Sequence, residues 1–271
     1  MTRKEVFDKV KRATVAIAIV HLQNSKHPFE IIGSGFCLDP TGIIVTCAHV
    51  LEAFMSKPIH HQILDIQKEP HNIGKEIKTD GPKSTIELLR CYCVFFDVHR
   101  APSNLHAIPA IVDHAVAKTD KDIALLRVVK HKYYPTGYPF LEIEDYLQIH
   151  EGDEIAICGF PLGTLLQKEL GTVTSSFTRG MVSSIIPCSG VDLKYLDGFL
   201  LDITATHGNS GGPVFSLKTG KVFGVLTRGV LDLGREIVPG IVKAEPIYPI
   251  LETIPRLKVA SFDNIAGTLP K

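Results

Sequence analysis

The feature that most constrains this chain is a long succession of short apolar segments, rich in β-branched residues and separated by turns. Such segments pair antiparallel with their neighbours, and closed barrels are a common way to remove the exposed edges. The pattern therefore predicts an all-β fold of two antiparallel β-barrels rather than an α/β fold. The predicted strands are 13–21, 30–38, 43–48, 85–96, 106–117 and 123–129 in the first half, and 154–159, 171–176, 180–186, 198–203, 213–217, 221–228 and 237–244 in the second.

A segment punctuated by proline and glycine, residues 133–139, separates the two sets of strands. Residues 13–130 are therefore expected to form the N-terminal barrel, and residues 145–245 the C-terminal barrel. Together they are expected to make one domain that spans residues 1–271.

Short helices are predicted at both ends of the chain. Residues 3–12 place Val6, Phe7 and Val10 on one helical face. Residues 246–271 are predicted to form a C-terminal helix and tail, because apolar residues recur at helical spacing in the first part of this segment.

Residues 52–84 are polar and are interpreted as an insertion within the first barrel. They contain His60, His61 and His71, but no cysteine or carboxylate recurs nearby at the spacing of a structural zinc site. We therefore expect no metal site, and no cofactor is expected either.

Residues 208–213 read Gly-Asn-Ser-Gly-Gly-Pro, a turn of small residues that exposes one hydroxyl, that of Ser210. Glycines on both sides let the backbone approach a substrate and direct N–H groups toward the same point. These properties are typical of a nucleophile for acyl transfer. An ordinary hairpin turn has a similar composition, so the rest of the chain has to distinguish the two.

A serine nucleophile needs a histidine as general base and a carboxylate that orients this histidine. Among twelve histidines, His49 follows a strand-turn-strand unit and two small residues that leave room for its ring. Asp122 leads directly into the apolar run 123–129, where a histidine N–H would offset the desolvation of the carboxylate. A surface or core histidine and a strand-capping aspartate are the alternatives, and Asp120 is interpreted as a turn residue.

The order His49, Asp122, Ser210 resembles that of the chymotrypsin-like serine proteases, and the finer resemblance is to their bacterial HtrA/Deg-type branch. It extends over about residues 13–250 and implies a trypsin-like peptidase domain, an all-β fold of two antiparallel six-stranded β-barrels. The matching segments are Gly-Ser-Gly-Phe (33–36), Ile-Val-Thr-Cys-Ala-His-Val (44–50), Asp-Ile-Ala-Leu-Leu (122–126), Glu-Gly-Asp-Glu-Ile-Ala-Ile-Cys-Gly-Phe-Pro-Leu-Gly (151–163), Thr-Val-Thr-Ser (172–175) and Gly-Asn-Ser-Gly-Gly-Pro-Val (208–214).

The resemblance implies a serine endopeptidase that works through an acyl-enzyme intermediate. His49 would take the proton of Ser210 and later return a proton to the leaving amine, while Asp122 would orient the ring and stabilise its charged form. The backbone N–H groups of Gly208, Asn209 and Ser210 would form the oxyanion hole.

The family pattern also implies where the substrate binds. Thr227 would support the aspartate through its hydroxyl, and residues 227–229 would pair with an extended substrate backbone. Thr204 would lie at the base of a neutral pocket, which favours an apolar side chain over lysine or arginine. His207 is either an exposed loop histidine or a rim residue that favours acidic side chains. The implied substrate-binding residues are Thr204, His207, Thr227, Arg228, Gly229, Gly240 and Val242.

Two features depart from the secreted digestive members of the family. Asn209 stands where those enzymes have an aspartate that pairs with a newly cleaved N-terminus, and no Ile-Val-Gly-Gly activation site occurs. Zymogen cleavage is therefore not expected. The residues after the second barrel are too few for the PDZ domain that many Deg proteases carry, so no PDZ domain is expected.

The composition limits the classes of partner. Lys plus Arg and Asp plus Glu both total 29, so no basic field points to a nucleic-acid partner. No stretch approaches the ~20 apolar residues that a membrane span requires. Polypeptide substrates are the expected partners, and the sequence does not fix the oligomeric state.

Cysteine usage and the N-terminus predict a cytoplasmic location. Cys37 and Cys47 are out of register across the 39–42 turn, and free thiols used as small apolar residues are typical of a reducing compartment. The apolar run 13–20 is short and has no small-residue cleavage site after it, which argues against a signal peptide.

Two other functions are compatible with the same residues. A latched or inactive triad would leave a peptide-binding, chaperone-like protein of the same fold. A hydrolase of small esters would use the same nucleophile but would need no edge that pairs with a peptide.

Overall fold

In a computed structural model the chain forms a short N-terminal helix followed by two closed β-barrels. The structure describes residues 2–21, 29–55, 89–96, 107–118, 121–128, 130–163, 165, 173–187, 196–231 and 237–247. The predicted C-terminal helix and most of the 52–84 insertion, with its three histidines, lie outside the described residues.

The first barrel consists of six antiparallel strands that follow the order β1-β2-β3-β6-β5-β4 around its wall. The strands are β1 (Thr14–His21), β2 (Phe29–Asp39), β3 (Ile43–Thr46), β4 (Leu89–Phe96), β5 (Ala107–Lys118) and β6 (Ile123–Val128).

The second barrel also has six antiparallel strands, in the order β10-β11-β12-β9-β8-β7. The prediction of an all-β fold with two six-stranded barrels is therefore confirmed. The strands are β7 (Glu154–Gly159), β8 (Ser176–Pro187), β9 (Leu196–Asp202), β10 (Pro213–Ser216), β11 (Val222–Leu231) and β12 (Ile237–Pro246).

Two local predictions differ from the structure. Where two strands were predicted, 171–176 and 180–186, the structure has one, β8, which begins at Ser176 and continues through Gly180, a residue that lies at a close crossing with β9. A Cβ at Gly180 would lie 1.9 Å from the carbonyl oxygen of Asp202. The predicted strand 43–48 ends at Thr46, and a helix that was not predicted, α2 (Ala48–Met55), follows it.

The predicted N-terminal helix is confirmed as α1 (Arg3–Ala13). It begins with a capping box, in which the Thr2 hydroxyl accepts a bond from the Glu5 amide and the Glu5 carboxylate accepts one from the Thr2 amide. The ring of Phe7 makes an edge contact with Phe177 of the second barrel, with 4.5 Å between ring centroids. The helix therefore packs against both barrels.

The barrels are joined by a continuous apolar core and by the segment that connects them. The core of the first barrel includes Cys158 and Phe215 from the second barrel. In the connecting segment, the Leu141 amide donates to Cys37 O (2.9 Å) and the Glu144 amide donates to Val222 O (2.8 Å). These contacts fix the seam between the barrels.

Candidate active site

The turn that carries Ser210 lies between β9 and β10 and is bonded to both barrels. The Gly211 amide donates to Leu226 O in the second barrel (2.7 Å), while the Ser34 amide in the first barrel donates to Ser210 O (2.8 Å). Gly208 and Gly211 have positive φ angles of 96° and 86°. The small residues of the turn are therefore required by its backbone conformation.

Gly211→Ala is expected to destabilise the protein by more than about 2 kcal/mol, because positive φ and steric overlap both oppose a side chain there. A Cβ at Gly211 would lie 2.1 Å from Ser34 O. Gly152→Ala is the matched control, since Gly152 has φ 88° but no atom within 4 Å of its Cβ position. This control should lose only about 1 kcal/mol. Urea unfolding measures both, and equal losses would contradict the packing explanation.

His49 and Asp122 are brought together at the edge of the first barrel, although 73 positions separate them along the chain. His49 lies in the first turn of α2, and Asp122 lies immediately before β6. The Nδ1 atom of His49 lies 2.8 Å from Asp122 Oδ2 and 3.0 Å from Oδ1, and the His49 amide donates to Oδ1 at 3.0 Å. The carboxylate thus holds both the ring and the start of the helix.

The environment of Asp122 favours its charged form. Burial alone would raise the pKa of this carboxyl, but the hydrogen bonds from the His49 ring and amide, together with the positive charge of Arg228, lower the pKa below its ordinary value. The backbone of Asp122 has φ 47°, a left-handed conformation that aspartate tolerates better than most residues. A constant negative charge therefore faces Nδ1 of His49 at neutral pH.

The hydroxyl of Ser210 donates to the backbone carbonyl of Thr227, with 3.0 Å between the oxygens. Since Nδ1 of His49 faces Asp122, Nε2 is the ring nitrogen left to accept a proton. Attack on a carbonyl carbon would require the Ser210 hydrogen to turn from Thr227 O toward that nitrogen.

The predicted oxyanion hole is only partly matched. The Asn209 amide donates to Thr206 O (3.1 Å), so it is not available to an oxyanion, and its inclusion in the oxyanion hole was wrong. Within the described part of the chain, the hydrogen bonds leave the amides of Gly208 and Ser210 without acceptors. These two amides are the remaining candidates for stabilising a developing negative charge.

Ser34, which was not predicted as a site residue, orients the Gly208 carbonyl next to these amides. Its side chain is completely buried in the first barrel. Its hydroxyl donates to Gly208 O (2.6 Å) and accepts from the Phe160 amide (2.9 Å). The small residues around Ser34 were a possible signal, but sequence cannot show which carbonyl a buried hydroxyl will reach.

Ser34→Ala is expected to lower kcat by up to about 10²-fold and to change KM little, because the bond that orients the Gly208 peptide is lost. It should also lower stability by about 1–3 kcal/mol, since the Phe160 amide loses its acceptor. Steady-state kinetics and urea unfolding measure the two effects. The control is Ser183→Ala, an exposed serine on β8, and a Ser34 variant with wild-type kcat would contradict the positioning role.

Residues 227–229 leave one strand edge unpaired beside Ser210. On one side, β11 pairs with β12 through Arg228 and Gly229. On the other side, its pairing with β10 ends at Val225. Among the described residues no strand covers that edge beyond Val225, so it can pair with an extended peptide.

Thr227 does not play the part that the resemblance implied. Its hydroxyl donates to Lys243 O (3.1 Å). A hydroxyl has one hydrogen, so Thr227 does not donate to the Asp122 carboxylate in this arrangement. Its carbonyl, rather than its hydroxyl, is the group that faces the site, through the bond from Ser210.

The residues predicted to form the specificity pocket differ in accessibility. Thr204 and His207 are exposed. A Cβ at Gly240 would have only Asp202 Oδ1 within 4 Å, at 3.8 Å, so the space beside it is open. Val242 is 3% exposed and packs in the core of the second barrel. It supports the wall of the barrel but does not present a surface to a substrate, which corrects its predicted role.

A network of charged side chains crosses the seam beside Asp122. Lys121, the residue before Asp122, lies 3.1 Å from Asp197 on β9. Lys243 on β12 lies 3.6 Å from Asp197 and 2.9 Å from Glu245. The network thus attaches the Asp122 turn of the first barrel to the second barrel.

Glu245 is a buried member of this network whose carboxylate is only partly hydrogen-bonded. It is 5% exposed, and its Oε2 atom has no hydrogen-bond partner among the described residues. Burial raises the pKa of its carboxyl above the ordinary value of 4.5, against the opposing effect of Lys243. Because the pKa of this carboxyl is higher in the folded than in the unfolded protein, the folded protein loses stability as pH rises from the ordinary pKa through the raised one.

Glu245→Gln should therefore gain stability relative to the wild type as pH rises from about 4 to about 7, because glutamine does not titrate. Urea unfolding of both proteins at several pH values measures the difference. Glu154→Gln, an exposed position on β7, is the control and should show no such trend. A Glu245 difference that is constant with pH would contradict this interpretation.

Comparison with known proteins gives matches over the same region. A model of the trypsin-like peptidase domain matches residues 33–225. Two similar proteins are named probable periplasmic serine endoprotease DegP-like. The one from Rickettsia prowazekii (strain Madrid E) is 34% identical over 85% of this chain and 35% of its own length. The one from Rickettsia conorii (strain ATCC VR-613 / Malish 7) is 29% identical over 82% of this chain and 34% of its own length. The chain thus spans about a third of the length of these relatives.

A solved structure gives a match at the level of the fold. It is described as the HtrA-type protease AlgW with decapeptide, and it is similar with a TM-score of 0.60 and 14% sequence identity. The similarity covers 95% of this chain and 68% of that chain. The two-barrel fold is therefore shared with a known protease.

The relatives correct the prediction of a cytoplasmic location, which is wrong, because both are named periplasmic. The prediction relied on thiols that form no disulfide, and Cys37, Cys47, Cys93 and Cys158 are indeed buried thiols without a disulfide bond. A buried thiol packs as a small apolar group in any compartment, so it does not report on location. In the described part of the chain, no helix has the length and apolar character to span a membrane.

Proposed function

Because the chain belongs to the trypsin-like peptidase domain family, and so to the serine protease class of hydrolases, we propose that it hydrolyses peptide bonds through Ser210, His49 and Asp122. Ser210 attacks the carbonyl carbon, and its proton passes to Nε2 of His49. The resulting acyl-enzyme is then hydrolysed by water as the same histidine acts again. The amides of Gly208 and Ser210 stabilise the oxyanion.

The observation that carries this proposal is the contact of 2.8 Å between His49 Nδ1 and Asp122 Oδ2 at the seam. Without an adjacent base a serine hydroxyl is a weak nucleophile. An imidazole held by an ionised carboxylate can take the proton and remain stable in its charged form.

The substrate is proposed to be a polypeptide in extended conformation. The unpaired edge at residues 227–229 supports this, and the similar protease structure is described with a decapeptide. The side chain before the scissile bond is proposed to be apolar, because Thr204 and Gly240 bring no charge to the pocket. Asp202, near Gly240, is the charged group that would favour lysine or arginine instead.

Three measurements separate the proposal from its alternatives: polypeptide cleavage, ester hydrolysis and peptide binding. Purified protein is incubated with an unfolded polypeptide and with small esters, and Ser210→Ala provides the zero reference. Cleavage of the polypeptide supports the endopeptidase. Hydrolysis of esters alone supports the esterase, and peptide binding without any hydrolysis, unchanged in Ser210→Ala, supports the chaperone-like protein.

A panel of peptides that differ only at the residue before the scissile bond tests the specificity. We expect kcat/KM for apolar residues to exceed that for lysine and arginine by at least about 10-fold, the typical effect of a pocket contact. A preference for lysine or arginine would contradict the neutral pocket and would point to Asp202.

A further inference from the structure

A buried cysteine lies directly beneath the histidine and aspartate of the active site. The Sγ atom of Cys47, a ring nitrogen of His49 and a carboxylate oxygen of Asp122 all lie within 4.8 Å of one another. Among the described residues no other group of three histidine, cysteine or acidic side chains is so close. Cys47 is not required by the proposed chemistry, and its thiol donates to Leu226 O at 3.2 Å.

The three side chains are a donor set that suits a zinc-type cation. Thiolate, imidazole and carboxylate are its usual ligands, at about 2.3, 2.0 and 2.1 Å. In a tetrahedral site the ligand atoms lie about 3.5 Å apart. In the structure the three ligand atoms are separated by 2.8 Å, between His49 Nδ1 and Asp122 Oδ2, to at most 4.8 Å. Side-chain rotations that move these atoms by about an ångström would therefore bring them to the tetrahedral separation.

Solvent reaches the cluster through His49 and Asp122 but not through Cys47. The side chain of His49 is 45% exposed and that of Asp122 is 27% exposed, whereas Cys47 is fully buried. A cation can therefore enter from the cleft, displace the His49 ring from Asp122 and keep a water molecule as its fourth ligand. The Cys47 thiol releases its proton to solvent on binding.

We propose that Cys47, His49 and Asp122 form a binding site for Zn²⁺ or a similar divalent cation, which inhibits the peptidase by occupying its histidine–aspartate pair. A cation on His49 repels the second positive charge that would form when the ring takes the Ser210 proton. The site has no local sequence signal, because Asp122 is 73 positions from His49. Metal binding stands by itself, whereas the inhibition rests on the proposed function.

Cobalt provides a direct measurement of the site, because thiolate ligation to Co²⁺ produces a charge-transfer absorption band. Wild-type protein is titrated with Co²⁺ in the presence of a non-chelating phosphine reductant. The variants are Cys47→Ala and Cys47→Ser, the second of which keeps the volume of the side chain. The matched control is Cys158→Ala, which removes another fully buried thiol.

We expect the band in the wild type and in Cys158→Ala, and its loss in both Cys47 variants. Zn²⁺ should inhibit peptide hydrolysis by the wild type, and the concentration for half inhibition should rise in the Cys47 variants. The rise should exceed the about 10- to 100-fold that loss of an outer partner costs a metal site. The Cys47 variants should keep their activity in the absence of metal.

Absence of the band in the wild type, its persistence in both Cys47 variants, or equal Zn²⁺ sensitivity in all proteins would overturn the proposal. A different result would follow if only the proposed function failed. The cobalt band would then still depend on Cys47, although no protein would hydrolyse peptides, and this would support the metal site and contradict the peptidase.

Discussion

Replacing Ser210 with alanine is expected to abolish peptide hydrolysis, with a fall in kcat of about 10⁶-fold, the effect of removing the nucleophile from a triad that acts as a unit. The remaining rate would come from the oxyanion hole and substrate binding alone. The fold should persist, because the hydroxyl makes one hydrogen bond, to Thr227 O. Kinetics with an unfolded polypeptide, together with thermal unfolding of the same samples, measure both expectations.

The control for this variant is Ser183→Ala, which removes an exposed hydroxyl on β8 and should leave kcat unchanged. A Ser210→Ala protein that retains more than about a hundredth of the wild-type rate would contradict the assignment of the nucleophile. If the wild type is also inactive and both proteins bind peptides equally, the chaperone-like function is the better account.

Asp122→Asn is expected to lower kcat by about 10⁴-fold at neutral pH. The amide has nearly the same shape as the carboxylate, but it has no negative charge to stabilise the protonated ring. It can also donate to Nδ1 of His49, which would then hold the wrong tautomer for taking the Ser210 proton. The loss should therefore fall on kcat, with KM changed little.

Asp8→Asn removes a carboxylate on the N-terminal helix α1 and serves as the control. Folding of the variant is a second measurement. The His49 amide donates to Asp122 Oδ1, and the side-chain oxygen of asparagine can still accept this bond. Asp122→Asn should for this reason fold normally, and a circular dichroism spectrum verifies it. A folded Asp122→Asn protein with wild-type kcat would exclude the aspartate from the mechanism.

The strands and their barrels were predictable because each strand has a local signal. Apolar residues and turns recur at short spacing, and eleven of the twelve strands in the described residues lie where this pattern placed them. The exception is β8 (Ser176–Pro187), which was predicted as two strands, 171–176 and 180–186, although it pairs with β7 without interruption from Ser176 to Met181. The short helix α2 was missed because its apolar residues continue those of β3 without a turn signal.

The residues of the site were predictable only as far as local motifs identify them. His49, Asp122 and Ser210 each lie beside an unusual local pattern, and the structure brings the first two into contact. Two of the details that differ depend on contacts between residues distant along the chain: the Thr227 hydroxyl bonds to Lys243 O, and the Ser34 hydroxyl bonds to Gly208 O. The third is local, because the Asn209 amide bonds to Thr206 O within the same turn, whose conformation its composition does not determine.

Location was mispredicted for a related reason. The packing of free thiols depends on the volume that the core leaves to them, and this volume is the same in any compartment. Cys47 is an example. Burial raises the pKa of its thiol well above the ordinary value, so that without a metal the thiol stays protonated and packs as an apolar group.

The most direct test of the central claim is labelling with a fluorophosphonate, followed by mass spectrometry of the labelled peptide. The account predicts one adduct, on Ser210, whose formation is slowed strongly in a His49→Ala variant because the hydroxyl then lacks its base. Folded protein that remains unlabelled at Ser210, or that reacts equally fast without the imidazole, would contradict it.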